Sequence, residues 1–202
     1  MEIMIEPVTN NEDEAAMSRI RQQVFEHEMG IACARLAAPD HSSSFHLLAR
    51  VAPHGDVVAA LSVVDTSGDQ QLHESYGLEF PLGVRVARYR QLAVLRSYRG
   101  LNIPLMLMLE AHRRFVAPSQ FNYTWLLFDA ERACSSLMCK WLAFTPGERT
   151  FASEYGHSRT LLRDERTPQS EQAIWWTEQY VGQLLKMVSS PNPVLMRPAN
   201  GA

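Results

Sequence analysis

Apolar and polar residues alternate from Glu2 to Val8 in "EIMIEPV", the period-two pattern of a half-buried strand. "TNNEDE" follows, with Asn10 or Asn11 as N-cap and acids in the first turn, where the helix dipole favours them. The helix so started carries Ala15, Ile20, Val24, Phe25 and Met29 on roughly one face and stops near Gly30. "ACARLAAPDHSSS" is small, polar and punctuated, a loop. "FHLLARVA" (Phe45 to Ala52) and "VVAALSVVDT" (Val57 to Thr66) are strand-like, and "PHGD" between them predicts a hairpin. A long connection runs from Ser67 to Gly83, a length that in a compact domain often carries function. "VRVARYRQLAV" (Val84 to Val94) alternates imperfectly, as a bulged strand does.

A helix is predicted from Ile103 to Val116. "YTWLLFDA" (Tyr123 to Ala130) is continuously apolar, as a strand buried on both faces is. "ERACSSLMCKWLAF" reads as a helix ended by "TPGE". "RTFASEYGHSRTLLRDE" has room for one or two strands, and "SEQAIWWTEQYVGQLLKMVSS" is a final amphipathic helix with Ser170 as its cap. The order β, α, β–β, β, α, β, α, then strands and a helix, predicts one α/β domain with a mixed sheet over residues 1–188. The proline-rich tail 189–202 is expected to fray.

Composition narrows the class. The chain has 202 residues and is 46% hydrophobic, enough for one sizeable core. Its formal charge of −3 argues against a nucleic-acid coat, which carries a large positive excess. The three cysteines, Cys33, Cys134 and Cys139, give neither a disulfide framework nor a zinc pattern, and no metal is expected. They fit reduced thiols in a cytoplasmic protein. The acidic start "MEIMIEPVTNNEDE" has no apolar signal region, and no run of about 18 apolar residues predicts a membrane span.

The candidate chemistry lies between the bulged strand and the helix, in "LAVLRSYRGLNIPLMLMLEA". A strand feeding straight into a helix aims unpaired N–H groups into one small volume, an anion site. Gly100 admits φ > 0 and close backbone approach, and Arg96 and Arg99 add charge at the rim. From the turn alone, a plain strand–helix connection with solvated arginines is an equal reading.

This segment resembles the acyl-donor-binding segment of the Gcn5-related N-acetyltransferase (GNAT) superfamily: an apolar strand, R/Q-x-x-G-x-G/A, then a helix. "DAERACSSLMCKWLAFTPGE" looks like the family's next strand–helix segment, and "RIRQQVFEHEMGI" like its first helix. The likeness spans about residues 1 to 150. It is nearest the branch that includes acyl-homoserine-lactone synthases and long-chain N-acyl amino acid synthases. It implies an α/β (α+β) fold, a mixed, mostly antiparallel sheet flanked by helices and splayed at a β-bulge. It also implies an N-acyltransferase moving an acyl group from a pantetheine thioester to a primary amine of a small molecule. The pantetheine arm would lie in the gap before Tyr123 to Ala130, paired with the amides of Leu92, Ala93 and Val94. The phosphate would meet the amides of Arg99, Gly100, Leu101 and Asn102, with Arg96 at the rim.

Three departures from that pattern leave choices open. Ser97 stands at the Q/R position and Asn102 where a second small residue is usual. Either the donor is an acyl carrier protein with one phosphate, or Asn102 hydrogen-bonds acyl-CoA. An acidic carrier protein would dock on Arg85, Arg88, Arg96, Arg99, Arg113 and Arg114. Cys139 stands where a tyrosine often protonates the leaving thiolate; it is either that acid or a core thiol. Arg88, Tyr89, Arg90 and Gln91 occupy the stretch that often holds a glutamate base. Glu26 and Glu28 at the end of the first helix, and His73, Glu74 and Glu79 in the long connection, are the candidates elsewhere; His73 is either set in a loop over the acceptor or an exposed residue with no role, and an amine that arrives neutral needs no dedicated base. "IWW" suits either a cover over the pocket or a homodimer contact. A catalytically inactive acyl-thioester binder of the same fold is the alternative to the enzyme, and an unrelated α/β binding domain is a third reading.

Overall fold

The computed structural model describes residues 2–32, 44–52, 55–131, 133, 136–153 and 156–188, with side chains to residue 183. Seven strands form one sheet in the order β1-β2-β3-β4-β5-β7-β6. β1 (Glu2–Pro7), β2 (Ser44–Ala52), β3 (Asp56–Asp65) and β4 (Val86–Val94) are antiparallel neighbours, and β4 runs parallel to β5 (Tyr123–Asp129). Beyond β5, β7 (Gly156–Asp164) and β6 (Thr145–Ser153) complete the sheet in antiparallel fashion. The mixed, mostly antiparallel α/β sheet expected from the sequence is what forms.

One face carries α1 (Asn11–Arg21) and α2 (Gln70–Ser75). Asn10 caps α1 by accepting the Asp13 N–H at 2.9 Å, and a π-helical turn, Gln22–Glu28, extends the helix to Gly30, where φ reaches +70°. Met17, Ile20, Val24 and Phe25 pack on Leu48, Ala60 and Ala93. The other face carries α3 (Ile103–Ala111), α4 (Leu137–Leu142) and α5 (Pro168–Val188). α3 is apolar all round, and such a helix has to be buried. Ile103, Leu105 and Leu107 are fully enclosed, each worth roughly 1.5–3 kcal/mol of burial.

Four expectations change. The connection 67–83 contains α2, started where Asp69 accepts the Leu72 N–H at 3.0 Å. The helix predicted from Glu131 begins only at Leu137, capped by Ser136, which accepts the Cys139 N–H at 3.3 Å. "TPGE" is not a helix-ending turn but the start of β6, an edge strand, where proline is tolerated. α5 starts at Pro168, and Thr167 Oγ1 accepts the Ser170 N–H at 3.2 Å, so Thr167 caps the helix and Ser170 lies inside it. The predicted loop through 33–43, Cys33, Cys134 and the tail 189–202 fall outside the described residues.

Candidate functional site

β4 and β5 pair at only three positions: Val86 with Tyr123, Ala87 with Thr124 and Arg88 with Trp125. Beyond them the strands part. The cause is a bulge. Against β3, Ala60 faces Ala93 and Ser62 faces Arg90, so the single Leu61 opposes both Gln91 and Leu92. Gln91 sits at φ +53°, left-handed backbone that bulges recruit and that glutamine seldom adopts. The extra residue twists β4 away from β5. The opening is a cavity of about 290 Å³. Leu61, Tyr89, Met108 and Leu126 line it toward α3; Phe25, Met29, Arg88, Arg90, Asp129 and Ser158 line it toward α1.

At the open end the chain makes a 3₁₀ turn, Arg96–Tyr98, then passes through Gly100 at φ +90° and Asn102 at φ +58° into α3. Pro104 occupies the first turn, where a missing N–H costs nothing. Among the described residues, the N–H groups of Gly100, Leu101, Asn102 and Ile103 have no backbone partner. These amides meet the positive end of a buried helix, which is the electrostatics of an anion site.

The edge of β4 is selective. Leu95 donates to Val58 O at 3.0 Å, so strand alternation turns the Ala93 N–H toward β3 and the Val94 N–H toward the gap. Val94 O accepts Arg99 Nε at 3.1 Å, on that same outer side. Arg99 also pairs with Glu28 at 2.5 Å. Arg99 therefore braces the end of β4 to the end of the first helix, and Glu28 is held by that brace. Arg96 is exposed and has no ion-pair partner among the described residues; it lies beside Gln23, Glu28 and Ser97 on a shallow groove at the gap's mouth. Asn102 directs its side-chain amide to the Tyr180 hydroxyl at 3.4 Å, and Tyr180 stacks on Trp141 with centroids 4.5 Å apart. The carboxamide is thus turned to α5.

The other candidates lie apart from the gap. His73 is not in a loop but on α2, 5% exposed, with Nε2 3.1 Å from Thr66 Oγ1 and its ring edge-on to Phe80. Desolvation holds its pKa below the usual histidine value against the pull of Asp69, so it sits as a neutral core group. Glu79 is exposed and, with Glu74 and Glu148, borders a separate depression between α2 and β6. Cys139 donates its thiol to Ala133 O at 3.1 Å and packs against the main core. Of the arginines expected to receive a carrier protein, Arg85 pairs with Asp65, Arg113 with Glu110 and Glu178, and Arg114 with Glu110. Arg88 lines the gap. Trp175 and Trp176 of "IWW" are half exposed on α5 and stack edge to face on each other, 4.6 Å apart.

Two features were missed. Asp129, at the end of β5, is the one carboxylate among the lining residues. A buried polar cluster closes the gap's inner end: Arg163, 2% exposed, holds Glu165 at 2.7 Å and donates to Leu142 O at 3.1 Å, while Thr124 donates to the same Glu165. Tyr89 lines the cavity beside this cluster, and burial pushes its phenol pKa up, with Arg163 opposing. The phenol therefore stays protonated. Charged letters inside "TLLRDE" were the available signal for the cluster.

No protein-family model and no curated protein matches the sequence. Solved structures do. FeeM, an N-acyl amino acid synthase from uncultured soil microbes, superposes with TM-score 0.60 at 12% identity, over 84% of this chain and 97% of its own. The CoA-dependent acyl-homoserine lactone synthase BjaI, solved with SAM and isopentyl-CoA, gives 0.65 at 17% identity over 90% and 89%. Escherichia coli ElaA gives 0.61 at 14% identity over 80% and 99%. At these identities the likeness shows the fold, and the fold is that of the GNAT acyltransferases, acyl-homoserine lactone synthases among them.

Proposed function

We propose that this chain is an N-acyltransferase that takes an acyl group from a pantetheine thioester and gives it to a primary amine of a small molecule. One observation carries the reading: a bulge splays β4 from β5, and the gap so formed opens toward four amides, Gly100 to Ile103, that have no backbone partner among the described residues. In this reading the pantetheine arm lies along β4, pairing with backbone groups on the outer side such as the Val94 N–H, with Leu92 beside the bulge. The donor phosphate meets Gly100, Leu101 and Asn102, with Arg96 alongside. The acyl chain points toward Leu61, Met108 and Leu126, an apolar wall that includes an adaptable methionine.

The amine nitrogen attacks the thioester carbonyl carbon, and negative charge develops on the carbonyl oxygen beside the bulge amides. The C–S bond then breaks, the thiolate leaves, and the nitrogen loses a proton. β4 holds no carboxylate to take that proton, and Glu28 is paired with Arg99. Asp129 is the lining group able to accept it. An amine arriving neutral needs orientation more than a base. Cys139, His73 and Glu79 are given no part in these steps, since none lines the gap.

CoA is the better-supported donor. The arginines that would receive an acidic carrier are largely paired already. The second reading, an acyl-thioester binder without turnover, is favoured by the arginines that stand in the place of a base. Incubation with acetyl-CoA, longer acyl-CoAs and acyl-carrier protein, with and without an amine panel and with thiol release as readout, tests both. Donor-induced stabilisation without amine-dependent thiol release favours the binder; neither signal defeats both readings.

A further inference from the structure

We propose that the acyl group this chain transfers carries a neutral oxygen, a hydroxyl or a keto group, several carbons beyond the thioester, and that the Tyr89 hydroxyl binds it. The inference rests on the acyl-transfer reading above and names the donor class of the same site. Tyr89 stands on β4 and is 3% exposed. Its ring belongs to the main core and meets Phe144 edge-on, with centroids 6.2 Å apart. The same residue borders the cavity between β4 and β5. Its phenol oxygen is buried and has no hydrogen-bond partner among the described residues.

The polar groups around Tyr89 are engaged with one another. Arg163 donates through Nε to Glu165 at 2.8 Å and through Nη1 to Leu142 O at 3.1 Å, and its Nη2 pairs with Glu165 at 2.7 Å. Thr124 donates to Glu165 as well, and Glu165 Oε2 lies 3.5 Å from His112 Nδ1. Leu61, Met108 and Leu126, on Tyr89's side of the cavity, are apolar. A hydroxyl taken out of water with nothing in return destabilises the fold. Phenylalanine would fill the same space without that cost. The hydroxyl is therefore placed for a partner that the protein does not supply.

Of the bound donor, the acyl chain is the part that reaches this wall. The pantetheine arm lies beyond the bulge, along Leu92 to Val94, and the phosphate seat lies beyond that. Tyr89 stands two residues before Gln91, roughly 7 Å back along an extended strand. Its side chain carries the hydroxyl further, toward Phe144 and Arg163. The thioester carbonyl at the bulge is thus out of reach, and an oxygen in the middle or far part of a medium-length chain is the group that meets it. A protonated phenol both donates and accepts, so a hydroxyl or a keto oxygen satisfies it. A carboxylate does not suit the place, because the nearby cation, Arg163, is already engaged by Glu165. A site that has to pair a buried hydroxyl discriminates against the analogue that lacks the partner.

The test compares octanoyl-CoA with 3-, 5- and 7-hydroxyoctanoyl-CoA on the wild type and on Tyr89→Phe, by thermal shift and isothermal titration. The 5- or the 7-hydroxy donor is expected to bind the wild type roughly 5- to 30-fold more tightly than octanoyl-CoA, and Tyr89→Phe to bring that ratio to about one. Without ligand, Tyr89→Phe is expected to melt at or above the wild-type temperature, since it removes an unpaired buried hydroxyl. A melting temperature several degrees lower shows the hydroxyl bonded within the fold and overturns the proposal. A preference for the 3-hydroxy donor alone also overturns it, as does a preference that survives in Tyr89→Phe. Stabilisation of the wild type by all four donors alike defeats this proposal and leaves the acyl-transfer reading standing. A wild type that none of the four stabilises defeats both.

Discussion

Deleting Gln91 removes the one residue that breaks the β3–β4 ladder. Ala60–Ala93 and Ser62–Arg90 keep their pairing, and Leu61 then faces Leu92 alone. Two terms favour the shortened strand. Left-handed backbone at Gln91 costs roughly 1–2 kcal/mol, and a regular ladder gains about 0.5–1.5 kcal/mol per hydrogen bond restored. Without the extra twist, β4 can continue alongside Leu126 to Asp129, four residues or roughly 13 Å of β5 edge now lacking a β4 neighbour. The fold is expected to gain about 1–3 kcal/mol, which is roughly 2–10 °C in Tm for a chain of this size. The donor seat closes at the same time. Acyl-CoA at 100 times its Kd stabilises a binder by about 2.7 kcal/mol, roughly 5–10 °C. Thermal melts with and without acyl-CoA therefore read both effects: the wild type shifts upward with ligand, and the deletion starts higher and does not shift. A deletion protein that folds and still answers to acyl-CoA like the wild type would refute the bulge as the cause of the donor site.

Arg96→Ala is expected to weaken acyl-CoA binding roughly 3- to 10-fold with little change in stability, because Arg96 is exposed and has no ion-pair partner among the described residues. Arg99→Ala is expected to cost about 1 kcal/mol in urea unfolding through its brace to Val94 and Glu28. The reverse pattern would exchange their roles. Asp129→Asn should lower kcat for amine acylation at least several-fold while leaving acyl-CoA affinity unchanged; an undiminished kcat removes Asp129 from the proton's path. Burial depresses the pKa of both His73 and His112, so the unfolded chain takes up protons that the fold refuses. That stability is whole above about pH 6.5 and is lost as pH falls toward the folded values, by up to about 1.4 kcal/mol per pH unit for each histidine. Urea melts between pH 7.5 and 5 check it, and His73→Asn should flatten the slope. Arg163→Met should cost about 3–5 kcal/mol by stranding Glu165, and adding Glu165→Leu should recover much of that.

The sequence carried the elements whose causes are local. The broken alternation of "VRVARYRQLAV" marked a bulge, and "YTWLLFDA" became a strand with Thr124, Trp125 and Leu126 buried on both faces. The turn at Gly100 was legible because a strand, one glycine and a helix start have few other uses. What failed depended on partners distant in sequence. Arg99 reads as a free cation until Glu28, 71 positions earlier, comes beside it. His73 reads as a loop residue because a six-residue helix leaves almost no periodic signal, and its enclosure comes from Trp125 and Phe80. Pro146 and Gly147 read as helix punctuation; only an edge position in the sheet lets both lie in a strand. There Gly147 is required, since a Cβ would come 2.5 Å from Thr160 Oγ1. Arg88 was read as a docking cation because a strand pattern gives the face of a side chain but not which anions share it.

The strained positions carry the argument one step further. Among the described residues, four other than glycine have positive φ: Gln91, Asn102, Gln120 and Ala143. Two of these bound the gap, one at the bulge and one at the anion turn, where strain is kept only if something else over-determines it. For Asn102 the αL well is mild, and Tyr180 holds the side chain. Gln91 has no such excuse in its residue type, and a glycine there would relieve the strain. Its persistence fits a wall fixed from both sides: Ala93 packed under Met17 and Phe25 on one side of the bulge, Arg88 resting against the Trp125 and Tyr76 rings on the other. At the closed end, Arg163, Glu165 and Thr124 anchor β5 to β7. The two strands are thus held apart by packing that needs no ligand. A site already open offers its donor amides without the ordering cost that a closed sheet would impose, and relaxing the bulge would trade that readiness for stability.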